Sequence, residues 1–66
     1  MLTQERITEL AHGVGVKTLA VENFLSTLGN MSRQEAMLNC EMDAQLYRWN
    51  HKTQAAIQAG IREHFA

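Results

Sequence analysis

The chain lacks proline, carries one cysteine, and is only 6% aromatic over its 66 residues. The lone Cys40 excludes a disulfide within the chain. Long apolar runs are missing too. The longest is three residues, as in Leu19-Ala20-Val21, against the ~20 needed to span a bilayer as a helix. The opening Met-Leu-Thr-Gln-Glu-Arg has neither the charged start nor the apolar centre of a signal peptide. There is no excess of either charge, with six basic against seven acidic residues and a net charge of −1. That balance excludes nucleic-acid binding driven by charge alone. A free thiol without a secretion signal predicts a cytoplasmic protein with no membrane association.

Chemistry is equally sparse. His12, His51 and His64 have no neighbour at i+3 or i+4 that completes a metal pair. Cys40 shares a stripe with the small residues Ala36 and Ala44, which reads as packing. Gly13-Val14-Gly15 is too short to cradle a phosphate and has no strand before it. No enzyme, metal site or cofactor is predicted. With 45% hydrophobic residues, the chain makes one small domain over 1–66. Such a domain buries only about 60% of its unfolded surface, so help from self-association is expected.

Helical signals fill the chain. Thr3 is placed to cap a helix over 4–12, with Leu2 and Ile7 spaced as a hydrophobic staple. Ile7, Leu10, Ala11 and Val14 recur at helical intervals, and Gly13 or Gly15 ends the pattern. Over 17–28, Ala20, Val21, Phe24, Leu25 and Leu28 share an arc of about 140°, with Leu19, Glu22, Asn23 and Ser26 opposite. Gly29-Asn30 stops this second helix. Ser32 and Glu35 form a capping box that opens a third helix, predicted over 33–49. Its apolar residues make two stripes: Ala36, Cys40, Ala44 and Tyr47, and Leu38, Met42, Leu46 and Trp49. A helix apolar on two sides is either central to its domain or shared with a second chain. Asn50 is placed to cap a fourth helix over 51–65 with Ala56, Ile57, Gly60, Ile61 and Phe65 on one face. Without proline or glycine between 31 and 59, a single long helix is the alternative; a break at Asn50-His51 is preferred.

The most specific pattern runs from Ile7 to Ser26. It sets Ile7, Leu10-Ala11, Val14-Gly15-Val16, Val21 and Phe24-Leu25 at fixed spacing. This resembles the bacterial and phage repressor helix-turn-helix of the lactose-repressor and Cro kind. In that motif the small Ala11 lets two helices cross closely, Gly15 makes the turn, and Val16 points inward. The resemblance covers about a third of the chain. It implies an all-α fold of three or four helices with the helix-turn-helix at 4–28. It also implies a small sequence-specific transcriptional regulator, of the sort found on phages and other mobile elements. The second helix would enter the major groove of double-stranded DNA, with Thr18, Leu19, Glu22 and Asn23 against the bases and Lys17, Arg48 and Lys52 on phosphates. Leu38, Met42, Leu46 and Trp49 would pair two protomers as a homodimer. Lys17 stands where the family has Ser or Thr as a cap, and residues 1–29 carry Glu5, Glu9 and Glu22 against Arg6 and Lys17. The alternative is a helical protein-binding module, an inhibitor or adaptor, that grips a protein partner with Leu19 and the Met/Trp face.

Overall fold

The computed structural model describes residues 2–66. They form an all-α fold of four helices: α1 Gln4–His12, α2 Thr18–Ser26, α3 Arg33–Leu46 and α4 His51–His64. Three of the four starts are held by the expected side chains. Thr3 Oγ1 accepts from the Arg6 amide at 3.1 Å, and Asn50 Oδ1 accepts from the Thr53 amide at 2.9 Å. At α3 the capping box closes both ways: Ser32 Oγ accepts from the Glu35 amide at 3.2 Å, and Glu35 Oε1 accepts from the Ser32 amide at 3.0 Å. α2 has no side-chain cap. It is wound instead from a preceding 3-10 turn, Gly15–Lys17.

That turn departs from the repressor pattern. Gly15 takes φ +64°, a conformation open to glycine, and the turn winds on directly into α2. Val14 fills the inward slot at 9% exposure, while Val16, expected inside, is 97% exposed. Only one of the two valines can face the core, because the tight 3-10 turn swings the next residues outward.

α3 is shorter than the sequence suggests, ending at Leu46. The reason is Arg48 at φ 52°, the one non-glycine residue with positive φ among those described. It lets the Trp49 amide donate back to the Ala44 carbonyl at 3.0 Å, which is the six-to-one bond of a Schellman stop made without glycine. Trp49 therefore leaves the helix. The break before α4 falls at Asn50, as predicted.

The core is Ile7, Ala11 and Val14 of the first segment, Val21, Phe24, Leu25 and Leu28 of the second, Ala36 and Cys40 of α3, and Ile57 and Ile61 of α4. α4 packs on all three other helices, whereas α3 packs mainly on α4. The apolar outer side of α3 is therefore left open. Tyr47, placed by periodicity on one stripe with Ala36, Cys40 and Ala44, is 57% exposed, since the buried part of that stripe ends with the helix.

One ion pair joins the first and last helices. Arg6 grips Glu63 with two hydrogen bonds of 2.9 Å, from Nε to Oε1 and from Nη2 to Oε2. The hydrogen bond from Arg6 is the main cause that holds the Glu63 carboxyl below the usual glutamate range. The folded value is depressed, so the pair's contribution is complete above the ordinary glutamate range and is lost as pH falls through the folded value. In a carboxyl-carbon NMR titration, Arg6→Ala should move the Glu63 midpoint upward. An unmoved midpoint would contradict the pair.

Candidate functional site

The sequence pointed to the exposed side of α2, and the structure joins that side to the corner between α3 and α4. Phe24 and Trp49 make the joint, their rings edge to face at 5.9 Å and 82°. Tyr47 lies roughly parallel to Trp49 at 6.3 Å and 24°. Between these aromatics and α2 runs an open groove of about 500 Å³. Leu19 and Tyr47 stand along it, Phe24 and Trp49 line it more deeply, and Lys17, Asn23, Thr27 and Asp43 add polar groups. Leu19 and Tyr47 are 67% and 57% exposed, so both are free to meet a partner.

Not every residue expected on this side is available. The Thr18 hydroxyl donates to the Gly15 carbonyl at 2.6 Å and reaches the Ala11 carbonyl at 3.1 Å. It secures the turn and is not a free base-reading group. Glu22 is half-buried, while Asn23 is exposed. Lys17 reaches the groove together with Leu19 and Asn23. Arg48 and Lys52 are exposed, and Arg48 sits in the chain between the groove residues Tyr47 and Trp49.

Trp49 does not belong with the expected pairing stripe. It is half-buried and packs on the core beside Phe24. Leu38, Met42 and Leu46 do stay together on the open side of α3, at 57%, 57% and 71% exposure. Sequence reading missed Asp43 and Phe24 as groove residues. Phe24 was assigned wholly to the core, and Asp43 lies one helical turn before Tyr47, a signal that carries meaning only once Trp49 is known to fold back on α2.

Comparison with protein-family models, with curated proteins and with solved structures finds no match.

Reactive chemistry is not concentrated at the groove. Among the described residues no group of three His, Cys, Asp or Glu side chains could hold a metal ion. Cys40 is 2% exposed, and burial, aided by Asp43 and Glu41, pushes its thiol above the ordinary range, so little thiolate is present at neutral pH. No helix among the described residues is long and apolar enough to cross a membrane. The groove's means of recognition are aromatic and aliphatic surface, one cation, one carboxylate, one amide and the hydroxyls of Thr27 and Tyr47.

Proposed function

We propose that the protein is a helical interaction module that takes the apolar face of a partner's amphipathic helix into the groove between α2 and the α3–α4 corner. One observation carries this reading. The side of α2 that a repressor would turn toward base edges lines an aromatic groove, with Leu19 and Tyr47 exposed and Phe24 and Trp49 within it. Tyr, Trp and Phe are the residues enriched where proteins meet. Charge supports the same reading. Of the six basic residues, Arg6 is committed to Glu63, and Arg33 and Arg62 line a separate hollow with Met37. Of the rest, Lys17 alone lines the groove, where Asp43 offsets it; Arg48 and Lys52 are exposed outside its lining. DNA readers gather more cations than this on one surface.

Selection from a displayed library of helical peptides tests the reading. The enriched sequences should carry apolar residues at i, i+3 or i+4, and i+7. Their binding should shift the emission of Trp49, the single tryptophan. Leu19→Asp should weaken them by tenfold or more, about 1.4 kcal/mol. Enrichment of nothing, or of peptides indifferent to Leu19→Asp, would overturn the proposal.

A second reading, a sequence-specific DNA-binding regulator, is favoured by a different observation. Ala11 is fully buried where α1 and α2 meet, and Gly15 makes the turn at φ +64°, two slots of the repressor motif that are filled even though Val16 faces outward. In this reading α2 enters the major groove, Leu19 and Asn23 contact bases, and Lys17, Arg48 and Lys52 hold phosphates. A heteronuclear NMR titration with a mixed-sequence duplex, at low and at physiological salt, separates the two. Salt-sensitive shifts centred on Lys17 to Asn23 would support DNA; their absence from both buffers would remove it.

A further inference from the structure

We infer that the open side of α3 is a self-association surface, on which a second copy of the chain lays its own α3 antiparallel, with the twofold axis at Met42. At about 100° per residue, Leu38, Met42 and Leu46 fall within an arc of about 80°, and all three are more than half exposed. The residues flanking this arc are the neutral amides Asn39 and Gln45. Arg33, Glu41 and Asp43 lie about 100° or more from Met42. A twofold axis brings each nearby residue close to its own copy, so a charge there would face its like; this helix carries a thioether there instead.

The direction of pairing follows from the ends of α3. Glu35 is the one charged residue in line with the stripe, at the first turn, and Arg48 follows the last turn. A parallel pair would set Glu35 against Glu35 and align the two helix dipoles. The antiparallel pair brings Glu35 to the end of the partner helix where Arg48 emerges, and opposes the dipoles favourably. With the axis at Met42, Leu38 meets the partner's Leu46, and the two Met42 side chains, which repack readily, meet each other. α3 leans on α4 and little else, so its outward stripe is not needed by its own fold.

The expected strength follows from size. A standard interface takes about 800 Å² from each partner, roughly a sixth of the 4587 Å² that this chain exposes. A helix of 14 residues is about 21 Å long and offers less than that. The dimer should therefore be weak and concentration-dependent.

Sedimentation equilibrium tests the inference. The mean mass of the wild-type chain should rise from 7.5 kDa toward twice that value between about 5 µM and 1 mM, concentrations that populate a weak dimer. Met42→Lys places two like charges at the axis and should remain monomeric throughout, with an unchanged helical circular dichroism spectrum because Met42 is exposed. Mixing Met42→Lys with Met42→Glu in equal amounts should restore the dimer. Leu19→Asp, in the groove, should leave association intact, so the groove reading and this one fail separately. A wild-type chain that stays monomeric at the highest concentration overturns the inference. So does association of Met42→Lys at wild-type strength, or loss of the dimer through Leu19→Asp alone, which would place the second copy in the groove.

Discussion

Ile57→Ala should cost the protein a large part of its stability. Ile57 is fully buried on α4, the helix that packs against all three others. Removing three carbons at such a site costs about 2–5 kcal/mol, the spread depending on how far the neighbours collapse into the gap. A chain of 66 residues has roughly 3–10 kcal/mol of stability in total. One substitution thus removes between about a fifth and all of it. Urea unfolding followed by circular dichroism should show a much lower midpoint with an unchanged slope, the sign of lost stability without a changed denatured state. A loss below about 1 kcal/mol would mean that α4 is not the element on which the core is assembled.

Gly60→Val should be as damaging for the opposite reason. Gly60 is buried where α4 crosses α2, and a Cβ placed there would stand 2.8 Å from Leu25 Cδ1, 3.2 Å from Leu25 Cγ and closer still to Cδ2. Leu25 is 2% exposed, so its side chain cannot swing into solvent to make room. Helix propensity alone would favour alanine over glycine by about 1 kcal/mol. Overpacking of about 1–3 kcal/mol opposes it. Gly60→Ala should therefore be destabilising by about 1 kcal/mol net, and Gly60→Val by about 3 kcal/mol. The diagnostic is coupling: Leu25→Ala should cost clearly less in the Gly60→Ala background than in the wild type, because the deletion there relieves a clash. Additive losses, or a stabilising Gly60→Ala, would show that the two helices do not meet this closely.

These two residues also show what was legible in the sequence. Ile57 and Gly60 were both placed on the buried face of α4 by periodicity, and the starts at Thr3, Ser32 and Asn50 were placed by cap chemistry, because such signals act within a turn or two of the chain. Val16 was misplaced for lack of a local signal. Whether a turn after glycine runs through a loop or tightens into a 3-10 turn decides which of Val14 and Val16 faces the core, and both are the same residue type. The end of α3 was set three residues too late because Arg48, not glycine, takes the left-handed position. The groove was the least legible feature. It depends on Phe24 meeting Trp49 across 25 positions of chain, a contact that no periodicity contains, although Leu19 and Asn23 on one side and Tyr47 and Trp49 on the other had each been singled out.

The bond between Arg6 and Glu63 has a kinetic consequence. The two residues are 57 positions apart, so α1 can dock on α4 only after nearly the whole chain has been gathered, and closing so long a loop is the slow kind of step in folding. The same contact brings the outer turns of the first and last helices side by side. A permuted chain, with its present ends bridged by a short flexible linker and new ends opened at Asn30, would turn this distant contact into a nearby one. It should fold faster than the natural order of the same residues while reaching the same arrangement of helices.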